Sequence, residues 1–118
     1  MLNKLFKFFK DTLVPMSQDL HKVKEYIEKN KNQFLDAFVE LLRCPSVSAT
    51  GEGIDQAVSL ITDMLRGLGA VVHTYKEGDG NPIIHGELNE KKEGTIMFYD
   101  HYDVQPVDPL DKWASPPF

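Results

Sequence analysis

The sequence predicts an α/β layer architecture, and three observations predict it. Two stretches carry apolar residues at helical spacing, two β-branched runs separated by a turn follow them, and a wholly apolar pentapeptide comes last. A strand that is apolar on both faces belongs inside a sheet with layers on either side. An interior strand needs neighbours on both edges, and two helices with one hairpin do not supply them. The sheet is therefore expected to be incomplete within these 118 residues.

The first helix follows Ser17 and Asp19, both candidate caps, and Leu20, Val23, Ile27, Phe34, Phe38, Leu41 and Leu42 keep its spacing to Arg43. The polar run EKNKNQ (28 to 33) interrupts that stripe, so a break or kink is expected near Asn30. Pro45 ends the helix, because the residue before a proline avoids helical geometry. A polar loop follows from Ser46 to Gly53. Ile54, Ala57, Val58, Ile61, Met64, Leu65 and Leu68 then predict a second helix, with Gly69 placed for a left-handed cap.

After Gly69 the period changes. AVVHTY (70 to 75) and PIIHGEL (82 to 88), separated by the turn-forming EGDGN, predict a hairpin. NEKKEG leads into TIMFY (95 to 99), read as a third, buried strand. Residues 1 to 16 stand apart as a basic amphipathic extension, with Leu2, Leu5, Phe6 and Phe9 at helical spacing among Lys4, Lys7 and Lys10. The expected division is thus 1–16 and 17–118.

Composition narrows the function classes. A hydrophobic content of 42% with 26% charged residues fits a globular chain and excludes a fibre or a disordered tract. Residues 1 to 50 hold eight Lys/Arg against six Asp/Glu, while residues 51 to 118 hold five against twelve. The acidic half repels phosphate backbones and attracts divalent cations, so nucleic acid is not an expected partner. A lone cysteine, Cys44, forms no intramolecular disulfide and suits a reducing cytoplasm. No apolar run approaches the ~20 residues of a membrane span.

The chemistry-bearing stretch is IMFYDHYDVQPVDPLDKWASPPF, residues 96 to 118. In extended chain His101 and Asp103 face one side and Asp100 and Tyr102 the other. Imidazole is the commonest protein metal ligand, and a nearby carboxylate fixes its orientation. The pair also follows an apolar strand, where open α/β sheets bind their ligands.

The remaining candidates have plainer readings. His73 and His85 alternate along strands and read as solvent-facing or hydrogen-bonded, and His21 reads as a surface residue. Cys44 reads as a small buried apolar side chain. Asp100, Asp108 and Asp111 are outer-ligand candidates, with a solvated loop the plainer reading for the last two. Trp113, Pro116, Pro117 and Phe118 suit either a cleft wall or packing.

An apolar strand entering HYDVQP, followed by DKWASPPF, resembles the first metal-binding segment of the zinc metallopeptidase family of glutamate carboxypeptidases, carnosinase-type dipeptidases, aminoacylases and acetylornithine deacetylase. LLRCPSVSA (41 to 49), LRGLGAVV (65 to 72) and NPIIHGEL resemble other parts of that family, and DVQP with WASPPF resembles the dipeptidase branch. The resemblance runs from about Tyr26 to Phe118.

The resemblance implies the N-terminal part of a three-layer α/β/α catalytic domain. It implies His101 as a zinc ligand and Asp103 as the catalytic acidic residue that orients it, with two Zn2+ ions per complete site. The bridging aspartate, the paired glutamates and the distal histidine of the family would lie downstream, so these residues alone are expected to be inactive. Expected partners are a peptide or N-acyl amino acid substrate, the remainder of the catalytic domain, and a second copy of the full-length protein in a homodimer. An N-acyl amino acid deacylase is one alternative, and a non-catalytic interaction module that binds a partner or membrane surface through its open sheet edge or basic N-terminal helix is the other.

Overall fold

A computed structural model describes residues 18–118. The extension at 1–16 and the Ser17 cap lie outside the described residues. The chain divides after Asp36 into two compact units.

Helix α1 (Gln18–Arg43) spans that division. Asp19 in its first turn and Arg43 in its last both suit the helix dipole, and Asp19 also pairs with Lys22 at 3.2 Å. The break expected near Asn30 does not occur. The Asn30 side-chain amide donates to the Tyr26 carbonyl one turn back, at 2.7 Å, and the helix continues through the polar run. Leu20, Val23, Ile27, Phe34, Phe38 and Leu42 of its apolar stripe are exposed.

The second unit is built around the loop after α1. The Cys44 N–H closes the last turn onto the Leu41 carbonyl, and Pro45 then prevents further helix. Val47 is the hub: its N–H donates to the Glu52 carbonyl at 2.9 Å, while its own carbonyl accepts from Gly51 at 2.9 Å. Among the described residues, Cys44, Ser46, Val47, Ile54, Ala57, Thr62 and Ala70 are buried, a small core dominated by short side chains.

Helix α2 (Ile54–Gly67) starts from Gly53, whose φ of 70° is left-handed. Its other end is a complete Schellman closure. The Gly69 N–H reaches the Arg66 carbonyl at 2.8 Å and the Ala70 N–H reaches the Leu65 carbonyl at 3.1 Å, with Gly69 at φ 88°.

Strands β1 (Val71–Tyr75) and β2 (Ile83–Glu87) form the antiparallel hairpin that the sequence predicts. Its register pairs Val72 with Gly86, His73 with His85 and Thr74 with Ile84. Val72 and Ile84 are the half-buried members of the two strands, and they share a face with Gly86. Leu65 of α2 lies against that face, because a Cβ on Gly86 would come within 3.1 Å of its Cδ1.

The third strand expected at 95–99 does not form. The only sheet among the described residues is the two-stranded β1–β2 pair, and Ile96, Met97, Phe98 and Tyr99 are 82 to 92% exposed. The apolar character that predicts an interior strand is present, but no neighbouring strand among the described residues offers it backbone partners. The α/β class and the incomplete sheet stand.

Candidate functional site

Directly after this exposed run the chain becomes anchored. Val47 pairs with Val104 in parallel, with the Val104 N–H donating to the Ser46 carbonyl at 2.8 Å and the Ser48 N–H to the Val104 carbonyl at 3.1 Å. The Ser46 hydroxyl adds a bond of 2.7 Å to the Tyr102 carbonyl. On the other side, the Tyr102 hydroxyl donates to the Pro82 carbonyl at 2.8 Å. Residues 101 to 103 therefore lie between the loop after α1 and the entry to β2.

Burial first, then the charges of Asp103 and Asp55, push the Tyr102 phenol above its ordinary value. Tyr102 therefore stays a neutral donor toward Pro82 through the physiological range.

His101 and Asp103 come together. The His101 Nδ1 lies 2.9 Å from the Asp103 backbone carbonyl and 3.5 Å from the Asp103 carboxylate. A carbonyl has no proton to give, so a hydrogen bond there requires the proton on Nδ1 and leaves the Nε2 lone pair free. That is the tautomer an imidazole needs to bind a metal through Nε2, with its other nitrogen held by a carbonyl or carboxylate. The His101 side chain is 77% exposed and that of Asp103 is 35% exposed, so Nε2 is accessible. The Asp100 carboxylate accepts from the His101 N–H at 2.8 Å.

A single imidazole nitrogen is one donor, whereas a catalytic zinc takes three protein ligands. Among the described residues no three His, Cys, Asp or Glu side chains gather around a common point. The donor chemistry thus fits a metal at His101 as one contribution to a larger ligand set. Beside it opens a recess of about 590 Å3, lined by Leu41, Ile61, Leu65 and Ile84 on its apolar side and by residues 98 to 103 on the other.

The other candidates lie apart from this place. His73 and His85 face each other across the hairpin and are exposed, His21 pairs with Glu25 at 3.4 Å on α1, and Asp108 and Asp111 are exposed. The Cys44 thiol is buried and turns toward the Gly53 carbonyl. Trp113 is half-exposed and ties its own loop, donating from Nε1 to the Val107 carbonyl at 2.7 Å. The residue that sequence reasoning gives no role of its own is Ser46, which sits in a polar loop within the family-like stretch 41 to 49. Its pairing with Tyr102 and Val104 spans 56 or more residues of sequence and leaves no periodic trace.

No family model matches the sequence, and no solved structure matches it. Among characterised proteins, the chain is 30% identical over 117 residues to a Cys-Gly metallodipeptidase of Schizosaccharomyces pombe, covering 87% of this chain and 24% of that protein. It is 32% identical over 120 residues to the Beta-Ala-His dipeptidase of Rattus norvegicus, covering 88% and 24%. It is also 35% identical over 85 residues to a succinyl-diaminopimelate desuccinylase of Thioalkalivibrio sulfidiphilus, covering 71% and 21%. The chain thus spans about a quarter of the length of the relatives it matches. Over this shared stretch, the chain is similar to the metallopeptidases that include these dipeptidases.

Proposed function

We propose that the protein carrying these residues is a zinc-dependent dipeptidase, and that residues 1 to 118 contribute one corner of its active site. The observation that carries this reading is the His101 imidazole, whose Nδ1 lies 2.9 Å from the Asp103 carbonyl on a side chain that is 77% exposed. Likeness to a Cys-Gly and a Beta-Ala-His dipeptidase supports the substrate class.

In this reading His101 is a ligand to one of two zinc ions. Asp103 orients the imidazole and places negative charge beside it. When bound, such a metal pair supplies an activated water and polarises the scissile carbonyl. The other ligands and the general base lie outside these 118 residues, which alone have no hydrolase activity. The reading includes a cytoplasmic setting, supported by the lone buried Cys44, and a homodimer of the whole protein. Among the described residues no helix is long and apolar enough to cross a membrane.

The test is a substrate panel given to the whole protein after zinc removal and zinc restoration. Unmodified dipeptides such as Cys-Gly and β-Ala-His should be hydrolysed only with zinc, and N-acetyl amino acids at least about tenfold more slowly. A reversed preference would establish the deacylase instead, and no hydrolysis of either class would leave the non-catalytic module.

A further inference from the structure

Ser46 holds both peptide planes that flank the Cα of Asp103. Its hydroxyl donates to the Tyr102 carbonyl at 2.7 Å, which fixes the plane before Asp103. Its carbonyl accepts from the Val104 N–H at 2.8 Å, which fixes the plane after it. The peptide group is rigid and planar, so the Val104 N–H and the Asp103 carbonyl turn together. Whatever aims that N–H at Ser46 also aims the Asp103 oxygen, and that oxygen lies 2.9 Å from the His101 Nδ1.

Ser46 is buried, at 4% exposure, in a loop whose backbone pairing with Val104 would close with alanine at this position. The hydroxyl adds something else: a bond to the carbonyl of Tyr102, the residue between His101 and Asp103. A buried hydroxyl has no water to turn to when that carbonyl moves, so the bond constrains the segment.

We propose that Ser46 is a positioning residue for His101. It acts through the backbone of Asp103, keeping the imidazole proton on Nδ1 and the Nε2 lone pair outward for the metal. This role rests on the reading of His101 as a metal ligand, but the tautomer is measurable without metal.

The experiment is a long-range proton–nitrogen correlation spectrum of the His101 ring in the metal-free whole protein at alkaline pH. Protection of the Ala57 amide, bonded to the Gly53 carbonyl at 3.0 Å, reports that the fold is intact. The wild-type ring should carry its proton mainly on Nδ1. Ser46→Ala should shift it toward Nε2, the tautomer a free side chain in water favours, and Ser46→Thr should restore the wild-type ratio. Ser46→Val, matched to threonine in shape but without the hydroxyl, should behave like alanine and serves if Ser46→Ala fails to fold.

A wild-type proton on Nε2, or equal ratios in the threonine and valine variants, would overturn the proposal. In the whole protein, Ser46→Ala should weaken zinc binding about tenfold to a hundredfold, as expected for loss of a partner that orients a ligand. Undiminished zinc binding by His101→Ala would instead overturn the ligand assignment, while the tautomer result would still decide the role of Ser46.

Discussion

The Tyr102 hydroxyl donates to the carbonyl of Pro82 at 2.8 Å, so the residue between His101 and Asp103 is tied to the entry of β2. The hairpin thereby supports a segment that Ser46 and Ser48 hold from the opposite side. Tyr102→Phe removes one bond of this support and keeps the ring. The expected loss is about 0.5–1.5 kcal/mol, read as a lower urea midpoint together with faster exchange of the Val104 amide. An unchanged midpoint and unchanged exchange would mean that the hydroxyl carries no support.

Gly53 admits no side chain. A Cβ there would lie 1.4 Å from the Pro45 carbonyl oxygen, and its φ of +70° is itself unfavourable for other residues. Gly53→Ala must therefore open the loop that carries Ser46 and Val47. The expected cost exceeds about 2 kcal/mol, with loss of amide protection at Val47 and Ala57 in hydrogen exchange. A variant within about 0.5 kcal/mol of wild type would show that the loop accommodates the methyl group.

Burial pushes the Cys44 thiol above its ordinary value. The folded chain then holds this proton more tightly than the unfolded chain. Its contribution to stability is constant below the ordinary thiol value of about 8.5 and falls as pH rises through it toward the folded value. Urea midpoints from neutral to alkaline pH should show this fall in wild type and less of it in Cys44→Ala. Alkylation of Cys44 should be slower in the folded chain than in urea, and equal rates would contradict the burial.

The elements with a local signature were legible in the sequence. Gly69 announced the Schellman end of α2, and the EGDGN turn between β-branched runs announced the hairpin. Two local readings met competing physics. The polar run around Asn30 looked like a break, but the Asn30 amide satisfied itself on the Tyr26 carbonyl and α1 continued. TIMFY had the composition of an interior strand, yet a strand exists only by pairing, and no partner lies beside it among the described residues.

The candidate site divides in the same way. The proximity of His101 and Asp103 followed from their spacing, although the shorter contact is to the Asp103 backbone oxygen rather than to the carboxylate. Backbone acceptors are identical at every residue and carry no sequence signal. The Ser46 contacts were invisible for a related reason: they join loops 56 residues or more apart, and one serine in a polar stretch does not say which carbonyl it will meet.

Zinc content and dipeptide kcat/KM of the whole protein carrying His101→Ala decide whether His101 is a ligand to the metal. A ligand role should give loss of bound zinc and a fall in kcat/KM of about a thousandfold, or ~4 kcal/mol of transition-state stabilisation. Retention of zinc with kcat/KM within about twofold of wild type, less than ~0.5 kcal/mol, would contradict it.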